Sequence, residues 1–326
     1  MASSNSNDCR VERHPHGTGS TVSLRSRFAS LMEDVAEKDS NLVVIVSDIS
    51  HGLFRPFASR FPDRYFNMGI CEPSIVNLSA GLNHVGLNPV VHTIAPFLVE
   101  RCFEQLKLDF GYQKKSVNLV SVGGAFDYSK LGCSHHSYAD VALVSQIPGS
   151  FVFMPGSTQE FEGLFRAAYA QTGIKYFRLT ENPHEIQLPG WSGAIGTGVR
   201  VAAGDDVTLA VVGAQLKNGW EAANVLGSAG IGSDLLYFPT IKPFDADLLR
   251  ESIQRTRAVL TVEELSNRDG LFARACEVSV GLADVRLSQL AIPEFIHGYG
   301  TYSDLCSRAG LDVKTIVSRV QSLVAS

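Results

Sequence analysis

The chain has 326 residues, enough for about two domains of ordinary size. Hydrophobic residues make up 45 % of it and charged residues 19 %, which supports a sizeable core and excludes a mainly disordered chain. The formal net charge of −5 argues against a nucleic-acid-binding protein or a basic membrane-binding module. No apolar run approaches the about 20 residues that a transmembrane helix needs.

The amino-terminal residues 1–20 are polar and lack the apolar stretch of a secretion signal, so we predict a disordered tail there. None of the six cysteines forms a CxxC pair, and no metal site is predicted from their spacing. Because such sparse cysteines are ordinary for a reducing compartment, we expect a cytoplasmic protein.

Alternating helix and strand patterns follow in residues 21–184. The first helix is predicted at Ser23–Lys38, with apolar residues at helical spacing. The predicted strands are Leu42–Val46, Pro89–His92, Val117–Val122, Ser150–Met154 and Lys175–Leu179. Further helices are predicted at Pro73–Val85, Phe97–Tyr112 and Thr158–Ala170. The strands are almost continuously hydrophobic, which is typical of a parallel sheet covered by helices on both faces.

A stretch with proline, tryptophan and several glycines at residues 185–204 is interpreted as a linker. A second set of strands and helices fills residues 205–326. We therefore predict an α/β protein of two domains, each a mostly parallel sheet flanked by helices.

Glu72 precedes Pro73 at the expected start of a helix, where a carboxylate is favoured by the free backbone amides. On this pattern alone, the residue could simply cap the helix. Phe97 and Asp48 both follow predicted strands, at the edge where parallel sheets bind ligands. A core phenylalanine and a strand-end cap are the alternative interpretations of these two residues.

The segment Gly123–Asp140 predicts a long polar loop that contains His135 and His136. Loops of this length inside a compact domain are often functional. Two adjacent histidines without a third ligand give little support for a metal site. Cys133 is a poor candidate nucleophile, because neighbours in sequence rarely have the geometry of a nucleophile and its base.

Together these segments resemble the C-terminal half of transketolase, as found in split transketolases that are encoded as two subunits. The first domain carries the resemblance in FPDRYFNMGICEPSIVNLSAGL, HTIAPF and LGCSHHSYADVAL, and the second in VTLAVVGAQLKNGWEAANVL, TVEELSNRDGLF and FIHGYGTYSDL. It covers about residues 21–326. Deoxyxylulose-phosphate synthase and the β-subunits of 2-oxoacid dehydrogenases share the two-domain plan and are the near competitors.

The resemblance implies that the protein uses thiamine diphosphate and magnesium. In relatives a separate domain with a GDG motif and a following asparagine holds the diphosphate and the Mg²⁺. This sequence has no GDG, and Gly204-Asp205-Asp206 lies in the wrong context. The resemblance therefore implies a partner subunit that holds the diphosphate and the metal, in an α₂β₂ heterotetramer that acts on small sugars. The second domain is expected to support dimerisation.

By resemblance, Glu72 is the glutamate that hydrogen-bonds the cofactor's aminopyrimidine, and Phe97 is the aromatic residue that stacks on it. Ile94 and Glu100 depart from the phenylalanine and tyrosine of some relatives. Tyr112 and Phe103 are candidates to replace these aromatic side chains, and Asp48 is expected to contact substrate or the thiazolium ring.

The same comparison of motifs makes His135 a ligand of donor hydroxyls that helps proton transfer, with His136 beside it. Glu181 stands where relatives that use sugar phosphates have an arginine. Arg178 and Arg25 are candidates to compensate for that carboxylate. The simpler hypothesis is that one substrate lacks the terminal phosphate or carries an amine.

Three functional interpretations remain open at this point. The first is a transketolase subunit that moves a two-carbon ketol unit to an aldehyde. The second is a regulatory protein of the same fold that has lost turnover. The third is a different thiamine enzyme, such as a dehydrogenase β-subunit or a deoxyxylulose-phosphate-synthase-like chain. The donor, the acceptor and the pathway are not predicted.

Overall fold

The computed structural model of the chain describes residues 22–189, 191, 193–266 and 270–325, so the predicted tail lies outside the described residues. The strands of the first half are β1 (Leu42–Val46), β2 (Tyr65–Asn67), β3 (Asn88–Ile94), β4 (Val117–Val122), β5 (Phe151–Phe153) and β6 (Ile174–Arg178). The helices are α1 (Leu24–Ala36), α2 (Arg55–Arg60), α3 (Glu72–His84), α4 (Phe103–Gln105), α5 (Asp140–Ser145) and α6 (Thr158–Ala168). Two π-helical pieces, Pro96–Glu100 and Leu106–Tyr112, flank α4, and a short 3-10 helix spans Pro62–Arg64.

The second half adds another set of strands and helices. Its strands are β7 (Val199–Ala202), β8 (Val207–Val211), β9 (Ser233–Tyr237), β10 (Thr240–Lys242), β11 (Ala258–Ser266) and β12 (Arg286–Ile292). Its helices are α7 (Leu216–Ser228), α8 (Ala246–Thr256), α9 (Leu271–Ser279), α10 (Tyr302–Arg308) and α11 (Val313–Ala325), after a short 3-10 helix at Gly213–Gln215.

The first sheet has seven strands in the order β10-β5-β6-β4-β3-β1-β2. All neighbouring strands are parallel except β10, which runs antiparallel to β5. The five strands of the second sheet have the order β12-β11-β8-β9-β7, and only β7 is antiparallel to its neighbour. These sheets confirm the predicted α/β class with two mostly parallel sheets.

Both faces of the first sheet are covered, as the uninterrupted hydrophobic sequence of β1 predicts. Val44 of β1 belongs to a cluster with Phe28 of α1 and Phe161 of α6. Its neighbour Ile45 belongs to the opposite cluster, with Ile75 of α3. Successive side chains of a strand point to opposite faces, so each strand joins both helical layers to one core.

The two halves of the chain share buried contacts. β10, from the second half, pairs with β5 at the edge of the first sheet. The carboxylate of Glu160 is buried and accepts hydrogen bonds from the Tyr237 hydroxyl at 2.5 Å and from the Gly156 backbone N–H at 2.8 Å. His184 Nε2 lies 2.7 Å from the other oxygen of Glu160. No helix among the described residues has both the length and the apolar character required to cross a membrane.

Candidate active site

The candidate residues collect at the carboxyl edge of the first sheet. The loops that follow β1, β3, β4 and β6 all leave the sheet at this edge, because those strands are parallel. Ligand sites of α/β sheets form there, since loops from several strands converge on one crevice. Chemically active side chains that are far apart in the sequence therefore lie close together.

Glu72 is buried at the start of α3, with 2 % of the residue exposed. The Ser47 hydroxyl, directly after β1, lies 2.8 Å from Glu72 Oε1 and can donate a hydrogen bond to it. Arg101 donates from Nη1 to Glu72 Oε2 across 2.7 Å. Both carboxyl oxygens are thus held by donors from two other loops, which fixes the orientation of the side chain.

Phe97 lies in the π-helical piece after β3, beside this carboxylate. The guanidinium carbon of Arg101 stands 4.2 Å from the centroid of the Phe97 ring, a cation–π contact. The His135 ring meets Phe97 edge to face, with 5.2 Å between the centroids. The structure therefore brings Glu72, Phe97 and His135 into one group, and Arg101 connects the first two.

His135 is carried by the loop between β4 and α5. The Ser134 hydroxyl is 3.0 Å from His135 Nδ1, and the Tyr128 ring contacts the imidazole at 6.2 Å between centroids. The same loop is anchored where Ser137 donates to Glu100 Oε1 at 2.7 Å. Burial raises the pKa of Glu100. The residue that departs from the tyrosine of relatives thus fixes the histidine loop.

Asp48 and Ile94 border the same crevice. Asp48 is exposed, in a left-handed conformation with φ 49°, and its backbone N–H donates to Asn67 Oδ1 at 3.0 Å. Asn67 in turn donates to the Asp48 carboxylate at 3.3 Å, which ties the end of β1 to β2. Ile94 is the half-buried last residue of β3, and it packs against Gly123.

Arg25 and Glu181 form an ion pair farther along this edge. Arg25 Nε lies 2.7 Å from Glu181 Oε1, and both side chains are 28 % exposed. Asp127 holds the chain around Glu181, because its carboxylate accepts the Glu181 backbone N–H at 3.1 Å and the Asn182 amide at 2.8 Å. The charge of Arg25 is therefore balanced by a carboxylate from its own chain.

Tyr112 does not belong to this group, and its predicted contact with the cofactor is a correction. The helical segment 96–112 starts at the carboxyl end of β3 and delivers the chain to the amino end of β4. At the ordinary helical rise, Tyr112 lies about 20 Å along that segment from Phe97. It is 83 % exposed at the opposite edge of the sheet. Phe103 packs on the hydrophobic core.

Arg178 and His136 are also corrected, because both are committed to interior contacts. Arg178 is 4 % exposed, pairs with the buried Asp140 carboxylate at 3.1 Å and donates to the Ser137 carbonyl at 3.0 Å. It supports the histidine loop and has no free edge for a substrate. His136 is buried against Phe126, where burial lowers its pKa.

Exposed apolar side chains border the crevice on two sides. One group comes from β2 and the loops after β1 and β2, and consists of Leu53, Phe66, Met68 and Ile70. The other surrounds the histidine loop and consists of Leu131, Phe295 and Tyr299. Ile70 is 74 % exposed two residues before Glu72. We name these residues the apolar rim. Contiguous exposed apolar surface of this kind marks an interaction site.

Sequence reasoning missed Ser47, Arg101 and Asp127. Ser47 and Arg101 act on Glu72 from 25 and 29 residues away, so no local pattern reveals the contacts. Arg101 had one usable signal, since a basic residue one helical turn after Phe97 shares its face. Within the described residues, no group of three His, Cys, Asp or Glu side chains is arranged to hold a metal ion.

Comparison with known proteins gives two family matches. Residues 20–184 match the description "Transketolase, pyrimidine binding domain", and residues 196–316 match "Transketolase, C-terminal domain". The first match alone spans half of the chain. It contains the whole group around Glu72, Phe97 and His135.

Individual relatives have similar length. One of the two subunits of an apulose-4-phosphate transketolase of Phocaeicola vulgatus is 27 % identical, over 90 % of this chain and 95 % of that protein. A 6-deoxy-6-sulfo-D-fructose transketolase subunit of Clostridium sp. is 28 % identical, over 90 % and 92 %. The solved structure "Split gene transketolase, inactive beta4 tetramer" matches with a TM-score of 0.84 and 27 % identity, over 94 % of this chain and 99 % of that one.

Proposed function

The chain belongs to the transketolase family, whose C-terminal half it represents, and on that premise we propose that it is one subunit of a thiamine-diphosphate-dependent transketolase. The reaction would transfer a two-carbon ketol unit from a ketose to an aldehyde. The single observation that carries this proposal is the buried Glu72 carboxylate beside the Phe97 ring, at the carboxyl edge of the sheet.

The residues around Glu72 fit an aminopyrimidine. A carboxyl group can share a proton with a ring nitrogen, and the flat face of Phe97 suits stacking on a heteroaromatic ring. Ser47 keeps one carboxyl oxygen oriented from behind. When bound, thiamine diphosphate supplies a nucleophilic carbon that carries the two-carbon unit. In this proposal Glu72 holds the proton at the ring nitrogen that makes that carbon reactive.

His135 has the position of a group that serves the substrate. Its imidazole contacts Phe97, and Ser134 is close to its Nδ1, which leaves Nε2 to face a hydroxyl. We assign it to binding the donor hydroxyls and to proton transfer near the reacting carbon. Asp48 and Ile94, at the ends of β1 and β3, would border the cofactor.

A partner subunit would complete the site. The sequence has no GDG motif, so the diphosphate and Mg²⁺ are assigned to a second chain that carries one. The apolar rim beside Glu72 supports this assignment, because a partner that binds over the cofactor would bury it. An α₂β₂ assembly in the cytoplasm follows from the family and stays a proposal.

The test is to purify the chain together with its neighbouring gene product that contains GDG and a following asparagine. The pair is assayed with thiamine diphosphate, Mg²⁺ and a panel of ketoses and aldehydes. We expect Glu72→Gln to lower turnover at least about 100-fold, because the proton-sharing group is lost. The free energy of unfolding should stay near that of the parent chain.

Glu277→Gln, at an exposed carboxylate of α9, is the matched control and should keep full activity. Near-normal turnover of the Glu72→Gln pair would contradict the assignment. A pair that is inactive with every ketose but active with 2-oxoacids and a lipoyl acceptor would instead establish a dehydrogenase subunit.

We further propose that the substrate is not a terminal phosphate ester. The Arg25 charge is paired with Glu181, so this end of the crevice offers no net positive charge to a phosphate dianion. Unphosphorylated ketoses should therefore have the higher kcat/KM. Glu181→Gln should free Arg25 and shift the preference toward phosphorylated ketoses by about tenfold. Glu185→Gln, on the same segment, is the control. A strong preference of the parent enzyme for phosphorylated ketoses would reject this proposal.

A further inference from the structure

Arg101 makes two contacts at once that stand out in the crevice. Its Nη1 donates to Glu72 Oε2 at 2.7 Å, and its guanidinium lies 4.2 Å from the centroid of the Phe97 ring. A planar cation with N–H donors on its edge thus stacks on the aromatic ring and hydrogen-bonds the carboxylate. These are the two contacts assigned above to the aminopyrimidine of the cofactor.

The two occupants exclude each other for geometric reasons. The stacked side of Phe97 and the Oε2 atom are each filled by Arg101, and the second carboxyl oxygen already faces Ser47. A heterocycle that binds Glu72 through the same oxygen must take the position of the guanidinium. Removal of Arg101 alone is unfavourable, because Glu72 is 2 % exposed and would lose its ion-pair partner.

Arg101 also has a route out of the crevice. It is 42 % exposed, and it lies at the interruption between the π-helical piece Pro96–Glu100 and α4. A rotation of its side chain can therefore carry the guanidinium into solvent without a change in the sheet. Glu72 and Phe97, in contrast, are fixed by the starts of their helices.

We propose that Arg101 is a positioning residue that occupies the aminopyrimidine pocket of the free subunit and leaves it when the cofactor binds. It keeps Glu72 paired and oriented until the ring nitrogen replaces it. This inference rests on the proposed function for the identity of the ligand. The closed pocket itself rests only on the contacts of Arg101.

The first experiment tests the closed pocket in the free chain. Arg101→Met keeps the apolar stem and removes the charge, and it is combined with Glu72→Gln in a double-mutant cycle of urea unfolding. We expect non-additive shifts of the urea midpoint, because each substitution removes the same ion pair. Additive shifts would overturn the proposal, whatever the enzyme activity is.

The second experiment measures the affinity of the assembled pair for thiamine diphosphate by calorimetry in the presence of Mg²⁺. We expect Arg101→Met to bind the cofactor about tenfold more tightly, which corresponds to a parent pocket that is open about one-tenth of the time. Arg101→Lys, which lacks the planar group, should lie between the two. Arg166→Met is the matched control, since Arg166 is 39 % exposed and ion-paired on α6, and it should change nothing.

Weaker or unchanged cofactor binding by Arg101→Met would overturn the proposal, because Arg101 would then hold the cofactor or stand apart from it. If the parent pair bound no thiamine diphosphate at all, the proposed function would fail instead. The double-mutant cycle would still decide whether Arg101 closes the pocket, so the two failures are distinguishable.

Discussion

Asp127 organises the segment that carries Glu181, and its charge state follows from burial. The carboxylate accepts hydrogen bonds from the Thr180 hydroxyl, the Glu181 backbone and the Asn182 amide. Burial raises the pKa of Asp127 to about 7, and the neighbouring Glu264 carboxylate adds to the shift. The residue is therefore half-protonated near neutral pH, although an ordinary aspartate is fully charged there.

The stability of the folded chain should reflect this titration. In the unfolded chain Asp127 releases its proton near pH 3.8, and in the folded chain near pH 7. Between these values the folded state holds the extra proton, so the free energy of unfolding falls as pH rises. We expect Asp127→Asn to remove about 2 kcal/mol of that decline between pH 5 and pH 8, measured by urea unfolding. Equal slopes in both proteins would contradict the prediction.

At this scale the sequence reveals residues that sit next to a structural signal. Glu72 was predicted because Pro73 marks the helix start, and the structure places Glu72 at the first position of α3. Its role as ligand of the cofactor stays a prediction. Ser47 and Arg101 carry no such signal, since their partner is a residue brought near only by the folded sheet.

At the scale of elements, the strand β6 and the histidine loop are joined through Arg178. Its guanidinium pairs with Asp140 at the start of α5 and donates to the Glu264 carbonyl of β11. Gly124 leaves room for it, because a Cβ at that position would lie 2.0 Å from Arg178 Nε. One buried side chain therefore ties the site loop to both sheets.

Arg178→Met should destabilise the fold by about 3–5 kcal/mol, because it leaves the Asp140 carboxylate buried without its partner. Urea unfolding of the free chain measures this loss. The double variant Arg178→Met with Asp140→Asn should recover part of it, since the uncompensated charge is gone. An unchanged free energy of unfolding in the single variant would show that Arg178 does not support the interface.

Long hydrophobic elements were predictable from the sequence, and short ones were not. The predicted bounds of β1 and β4 coincide with the structure, because continuous β-branched runs identify buried strands. β2 and β10 each have three residues and depend on a partner strand elsewhere in the chain. The predicted helix at Phe97–Tyr112 is instead a series of π-helical and α-helical pieces.

At the scale of the whole molecule, the apolar rim separates two ends of one helix. Ile70 precedes the start of α3, beside Glu72, whereas Val85 follows its end, at the opposite edge of the sheet. Their exposed fractions are nearly equal, at 74 % and 72 %. The two residues therefore make a matched pair for testing which edge receives the partner.

Ile70→Asp should prevent assembly with the GDG-containing partner, because a charge would be buried in an apolar interface. Size-exclusion chromatography of the mixed subunits measures this, with at least a roughly tenfold loss of affinity expected. Val85→Asp should leave assembly with that partner intact. Equal assembly of both variants would place the partner elsewhere on the surface.

The placement of β10 has a consequence for how the protein can be made. The first sheet ends on β5 until residues 240–242 arrive from beyond the next two strands of the second sheet. During synthesis, a nascent polypeptide cut or stalled before that point would expose the unpaired backbone of a buried apolar strand. The halves are therefore poor candidates for separate expression, since a fragment that stops at residue 189 would carry a sticky open edge.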